Sequence, residues 1–290
     1  MPEDLSLVYN TELTTLNDIT GLKLCSVNEK YKTATEITIP SMLENIAVYE
    51  IDENLLADCY QVTSITIEPG FEVMAEENLK VQLGNAIAKC NTLTTLSTSI
   101  DAARWINYAE LKNLKSLEIN RAEYGMDTIP SDMCAGAGIM ELTIGEGVAT
   151  IASGAFRNCT ALETVHLKGF TGTIGENAFD GCGALSSIDL SGVSSIGAEA
   201  FADCTALSSI DLSGATNVGS AAFRNCGNLE LMALPATRDN STFAADAFVG
   251  CNVTGWGDEP KIDPDTGIVY TVRTGEAGEA AVICGYLYRD

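Results

Sequence analysis

Two stretches of fifteen residues, AFDGCGALSSIDLSG (178–192) and AFADCTALSSIDLSG (200–214), agree at twelve positions and lie 22 residues apart. A fixed internal period of this length is the signature of a repeat architecture. One such unit is too small to bury its own apolar side chains, so it needs a neighbouring unit to cover them. The repeat therefore constrains the fold more than any other feature of the sequence.

The repeat extends beyond these two copies and follows the template A-F-x-x-C-x-x-L-x-x-I-x-L. Its phenylalanines are Phe156, Phe179, Phe201, Phe223 and Phe248, each followed three residues later by Cys159, Cys182, Cys204, Cys226 and Cys251. Weaker copies lie upstream, for example Leu56…Cys59…Ile65-x-Ile67. Together the copies predict a stack of about nine coils between Glu36 and Cys251.

Each part of the template predicts a part of the coil. The x-I-x-L segment alternates polar and apolar residues, which favours a strand with one buried side, and stacked copies would form a parallel sheet. The A-F-x-x-C segment has helical spacing and predicts a short helix or a 3₁₀ turn on the opposite side. Gly175, Gly197 and Gly219 precede these segments, where we expect a sharp turn of the chain.

The segments IGENAFDGCGALSSIDL and IGAEAFADCTALSSIDL resemble the BspA-like (Treponema pallidum-type) class of leucine-rich repeats. The resemblance is most specific over Ile144–Cys251. It implies an α/β solenoid, a right-handed superhelix with a parallel β-sheet on its concave face. It also implies a bacterial protein of the cell surface or secreted, associated with adhesion, and it offers no catalytic residues to carry over.

The ends of the chain leave the template. Residues 1–35 match it poorly and predict an N-terminal cap made of a strand or a short helix. The solenoid is predicted over residues 36–254. Residues 255–290 contain two apolar stretches around TGEAG, which predict a hairpin. This hairpin is either a C-terminal cap or the start of a further module.

The charge of the chain narrows the classes of partner. Sixteen Lys and Arg residues against forty Asp and Glu residues give a formal net charge of −24. Such a field repels phosphate backbones and anionic membranes, so we predict neither nucleic-acid binding nor membrane insertion. The stretch MPEDLSLVYNTEL lacks a basic segment and an apolar segment, so an extracellular or cell-surface location requires that a signal has been removed.

The residue types that most often form catalytic or metal sites have structural explanations in this sequence. Seven of the ten cysteines occupy one repeat position, which predicts a ladder of buried free thiols, with disulfides between neighbouring coils as the alternative. There is no C-x-x-C pair and only one histidine, so no metal site is predicted. No catalytic motif or cofactor motif is present, so the chain is predicted not to be an enzyme.

The outward positions of the strands remain as candidates for binding. They are polar, rich in hydroxyl groups and acidic, and they lack the Trp, Tyr and Arg residues that dominate most protein hot spots. The candidate partner-binding residues are Glu118, Thr143, Thr164, His166, Ser187, Asp189, Ser209 and Asp211. They suggest a binding module that contacts a protein or glycan. The alternative is a structural spacer, or a virion or fibre component, without a dedicated ligand.

Overall fold

The three-dimensional structure is a computed structural model that describes residues 8–16, 19–70, 77–122, 126–229, 231–233, 244, 246–251, 261–262, 268–275 and 278–286. The chain divides into two compact units, Met1–Asp127 and Thr128–Asp290. Each unit contains parallel strands contributed by successive repeats. The predicted domain boundaries after residues 35 and 254 stay predictions.

The first unit contains eight described strands, two described α-helices and two 3₁₀ turns, Glu29–Tyr31 and Tyr108–Glu110. In chain order its strands and helices are β1 (Tyr9–Leu16), β2 (Ile19–Val27), β3 (Glu36–Ile39), β4 (Met42–Leu43), β5 (Ile46–Ile51), β6 (Ser64–Ile67), α1 (Glu77–Ala88), β7 (Thr95–Ser99), α2 (Ile100–Ala103) and β8 (Ser116–Asn120).

Strands β3, β6, β7 and β8 are the x-I-x-L segments of the weaker repeats. They pair in parallel, and Ile37 lies opposite Ile65, Ile65 opposite Leu96, and Leu96 opposite Leu117. All four side chains are buried. The weaker copies therefore keep the register of the repeat even where they have lost its Ala-Phe pair.

The N-terminal residues form strands, one of the two predicted alternatives. β1 and β2 pair antiparallel, and β2 lies parallel to β5, in a sheet with the order β1-β2-β5-β4. The hydroxyl of Tyr9 donates a hydrogen bond to the carbonyl oxygen of Thr38 on β3. This bond joins the N-terminal sheet to the first strand of the repeats.

The second unit contains thirteen described strands. They are β9 (Thr128–Ile129), β10 (Glu141–Ile144), β11 (Thr150–Ile151), β12 (Thr164–Leu167), β13 (Thr173–Ile174), β14 (Ser187–Ile188), β15 (Ser195–Ile196), β16 (Ser209–Asp211), β17 (Asn217–Val218), β18 (Leu231–Ala233), β19 (Lys261–Ile262), β20 (Ile268–Gly275) and β21 (Gly278–Tyr286).

The coils of the second unit have three sides. The x-I-x-L segments form one side, where β10, β12 and β14 pair in parallel, as do β16 and β18. A second parallel sheet, in the order β17-β15-β13-β11-β9, forms another side and was not predicted. Its inward residues, such as Ile151, Ile174 and Ile196, are buried. The predicted solenoid with a parallel sheet is confirmed, and its helices are few.

The third side consists of the A-F-x-x-C segments, which form turns in these coils, one of the two predicted alternatives, and not short helices. The bonds are those of a 3₁₀ turn, which join each N–H to the carbonyl three residues earlier. For example, the N–H of Cys182 donates to the carbonyl of Phe179 over 3.2 Å. The N–H of Phe179 donates instead to Ala200 of the next coil, over 2.8 Å. Phe156, Phe201 and Phe223 repeat this bond between coils, so the turns form a ladder where a helix would bond only to itself.

The phenylalanines of these turns form one stack. Successive rings lie 5.2–5.3 Å apart between centroids and within 13° of parallel, from Phe156 to Phe248. The rings are buried, and burying one such side chain stabilises the fold by about 1.5–3 kcal/mol. The constant spacing of the repeat thus produces one continuous aromatic column.

The glycines that precede the turns allow neighbouring coils to approach each other closely. They are not needed for a left-handed turn conformation. Gly197 and Gly219 have no left-handed φ angle. A Cβ atom on Gly197 would lie 2.6 Å from the backbone nitrogen of Glu176, and one on Gly219 would lie 2.5 Å from that of Ala198. These contacts are with the preceding coil, so the glycines set how closely the coils can stack.

The repeated cysteines hydrogen-bond to the carbonyl groups of the preceding coil. The Sγ atoms of Cys182, Cys204 and Cys226 donate to the carbonyls of Phe156, Phe179 and Phe201 over 3.2–3.3 Å. Nine cysteines are described and all are free thiols, as predicted. Cysteine fits this position because it is small and apolar and still supplies a weak donor to a buried carbonyl.

The C-terminal residues contain the predicted hairpin. β20 and β21 pair antiparallel, and β19 pairs antiparallel with β20. Residues 252–260 and 263–267 lie outside the described residues. Whether this hairpin is a cap or part of a further module stays open. In the described part of the chain, no helix is both long enough and apolar enough to cross a membrane.

We expect Gly197→Ala to lower the free energy of unfolding by about 1–3 kcal/mol, because its methyl group would press on the backbone of the preceding coil. Gly227→Ala is the matched control, since nothing lies within 4 Å of its Cβ position. Its effect should stay within about 0.5 kcal/mol. Urea denaturation followed by circular dichroism measures both, and equal losses would contradict the close approach of the coils.

We expect the thiols of the ladder to resist alkylation in the folded protein. Burial raises the pKa of Cys204 to about 12, so its reactive thiolate is scarce at about pH 8. The test is native labelling with iodoacetamide, then unfolding, labelling with a heavy analogue and peptide mass spectrometry. Cys182, Cys204 and Cys226 should carry the heavy label, whereas the partly exposed Cys25 should carry the light one. Ladder cysteines that are linked in disulfides, or that carry the light label, would contradict the assignment of buried free thiols.

Candidate binding surface

Strand pairing brings together four of the predicted residues in the second unit. Thr143 on β10 lies opposite His166 on β12, and Thr164 lies opposite Ser187 on β14. The alternate residues of these strands, including Val165, point into the core and are buried. We call the opposite side of β10, β12, β14 and β16, together with the residue that follows β14, the outer strand face. Its residues are Glu141, Thr143, Thr164, His166, Ser187, Asp189, Ser209 and Asp211.

The only histidine of the chain has an acidic neighbour on the outer strand face. The Nε2 atom of His166 lies 3.4 Å from Oε1 of Glu141, diagonally across β10 and β12. Both side chains are about half exposed. A contact of this kind contributes little to stability, because both side chains are open to water. The imidazole is therefore available at the surface and is not a core residue.

Asp189 and Asp211 have a structural role that the sequence analysis missed. Oδ1 of Asp189 accepts a hydrogen bond from the N–H of Ser191 over 2.9 Å, and Oδ1 of Asp211 accepts one from Ser213 over 2.8 Å. The hydroxyl and N–H of Ser191 lower the pKa of the Asp189 carboxyl. The repeated D-L-S-G sequence is the signal for this turn, in which a carboxylate bonds to the backbone two residues on.

Glu118 lies in the first unit, on β8. It is half-buried, and its Oε2 atom accepts a hydrogen bond from the hydroxyl of Ser97, its neighbour on β7, over 3.1 Å. This bond joins two adjacent strands on their outward side. Glu118 thus has an outward position, as the alternation predicted. Its carboxylate also bonds to the neighbouring strand, in addition to any role in binding.

The outer strand face offers hydrogen bonds and negative charge. Its groups are hydroxyls, carboxylates and one imidazole, and its predicted positions carry no Phe, Tyr or Trp. Within the described ranges, no group of three or more His, Cys, Asp or Glu residues is arranged to hold a metal ion. Such a surface suits an extended polar partner better than a small apolar molecule, which needs a concave apolar pocket. The binding role of its residues stays a prediction.

Comparison with family models identifies one family. Residues 127–254 match the BspA type leucine rich repeat region in six copies. The match begins before the most specific motifs and includes the coil with Gly136 in the cysteine position. No curated protein matches the chain.

Solved structures of bacterial leucine-rich repeat proteins are similar to the chain at low identity. A protein from Eubacterium ventriosum is 18% identical, with a TM-score of 0.43 over 84% of this chain and 63% of that one, so this chain spans less than two thirds of its length. The Treponema pallidum leucine-rich repeat protein is 19% identical, with a TM-score of 0.35 over 85% and 87%. A leucine rich cell surface protein from Faecalibacterium prausnitzii is 18% identical, with a TM-score of 0.33 over 84% and 90%.

The matched range contains the features that the repeat template predicted. It includes the aromatic column, the five ladder cysteines from Cys159 to Cys251, and all the strands of the outer strand face. Residues 127–254 therefore match the model of the BspA type leucine rich repeat region, the family that the sequence motifs resemble.

Proposed function

We propose that this chain is a non-enzymatic binding module that contacts a protein or a glycan through the outer strand face. The proposal includes an adhesion role at the surface of a bacterium or outside it, and this part rests on the resemblance of the repeats alone. Leucine-rich repeat domains generally mediate interactions, and stacked repeats present extended surfaces for that purpose.

The observation that carries the proposal is the exposure of side chains on paired strands of the second unit. His166 and Ser187 are exposed, and Thr143 and Thr164 are half-buried between their neighbours. Strand pairing fixes the backbone beneath these side chains. A rigid backbone reduces the entropy lost on binding, so even polar contacts of modest strength can add up over a long face.

A structural spacer without a ligand is the second candidate. It is favoured by the carboxylates of Asp189 and Asp211, which already accept hydrogen bonds from Ser191 and Ser213. Residues used in this way need no partner to explain them. The two candidates differ in one measurable respect, since only a binding module retains a ligand through its outer strand face.

The test uses arrays of glycans and extracellular-matrix proteins with the purified chain, followed by affinity measurement on any retained partner. Ser187→Arg places a long side chain in the middle of the outer strand face. Ala149→Arg is the matched control, because it adds the same side chain at an exposed position beside the second sheet. We expect Ser187→Arg to weaken binding about tenfold or more, about 1.4 kcal/mol, and Ala149→Arg to weaken it less than about twofold.

Both variants should melt close to the parent chain, because each changes an exposed side chain. Equal effects of the two substitutions on affinity would place the contact elsewhere and contradict the proposal. An array on which the parent chain retains nothing would favour the spacer.

A further inference from the structure

Buried polar side chains concentrate at one place in the first unit. Among the described residues, the buried polar or charged ones are Ser41, Thr98, Ser99 and Asp101. Three of them lie within four residues, at the junction of β7 and α2, with exposures of 1%, 1% and 3%. Thr98 lies opposite Ile119 on β8, so a polar residue occupies a position that is apolar on the neighbouring strand.

Several oxygen atoms of this junction make no hydrogen bond. The hydroxyl of Thr98 donates to the carbonyl of Ser99 over 3.3 Å. The hydroxyl of Ser99 and both carboxylate oxygens of Asp101 have no hydrogen-bond partner in the structure. Ser99 precedes α2 in an extended conformation suited to capping, yet its side chain makes no capping bond. Buried polar atoms without a partner are rare in folded proteins, and a bound water or ion is a common reason for them.

Asp101 also lacks a basic partner among the described residues. No ion pair with a described lysine or arginine includes it. Arg104 ends α2, but its guanidinium lies over the ring of Trp105, 4.7 Å from the centroid, with Nη1 3.9 Å from Sδ of Met126. A buried carboxyl group without a partner is unfavourable, because it has lost its hydration and gained no hydrogen bond in return.

We propose that Ser99 and Asp101 form an interior site for a single monovalent cation, sodium or potassium. The donors are hard oxygen atoms, which favour alkali and alkaline-earth ions over transition metals. One carboxylate balances one positive charge, and the described residues contain no cluster of three acidic, His or Cys residues of the kind that holds a divalent ion. The site is independent of the outer strand face and of the function proposed for it.

The test is thermal unfolding of the full chain in choline chloride, sodium chloride and potassium chloride at the same concentration of about 0.1 M. Choline is too large to enter the interior. We expect sodium or potassium to raise the Tm of the parent chain by about 3 °C or more over choline. Asp101→Asn should show no difference between the salts and should melt above the parent chain in choline. Glu53→Gln, which removes an exposed charge from the same unit, should respond to the salts as the parent does.

Sodium-23 NMR gives a direct measurement. The parent chain should broaden the sodium line, Asp101→Asn should not, and potassium should compete if it binds the same site. Should Asp101→Asn fail to fold, Ser99→Ala keeps the charge and should require a higher sodium concentration for half of the Tm shift. A parent chain with one Tm in all three salts, an equal salt response in Asp101→Asn, or an unchanged midpoint in Ser99→Ala would overturn the proposal.

Discussion

Every coil of the second unit depends on the coil next to it, because no coil can cover its own apolar side chains or satisfy its own backbone. The N–H groups of Phe156, Phe179, Phe201 and Phe223 are bonded to the following coil, whereas the thiols of the repeated cysteines in this unit are bonded to the preceding one. Contacts between coils therefore run in both directions along the chain. The fold is maintained by these nearest-neighbour contacts and not by one central core.

Much of this could be predicted from the sequence, because a period of 22 residues repeats both the apolar spacing and the Ala-Phe pair. The inward positions Val165 and Ile188 followed from simple alternation, and both are buried. The second sheet could not be predicted in this way, since strands such as Thr173–Ile174 and Ser195–Ile196 have only two residues. A strand of that length shows no alternation, and only pairing with its neighbours defines it.

The candidate site was predicted in its placement more fully than in its chemistry. Alternation located Thr143 and His166 on the outward side, where the structure has them. It gave no indication that Asp189 bonds to the backbone of Ser191, because that bond depends on the turn after the strand and not on the strand itself. The buried Asp101 was missed for a related reason. It follows a degenerate repeat whose inward position holds Thr98, and the template had no residue to compare with it.

The glycines that bring the coils close together also make the coils interchangeable. Residues 178–192 and 200–214 differ at only three positions, so a further copy of either segment placed between them would meet nearly the same surroundings on both sides. A gene that gained such a copy by unequal recombination would leave the junctions between these coils nearly unchanged in chemistry. The length of such a protein can thus evolve in steps of one strand spacing, about 4.8 Å, without any need to redesign its interior.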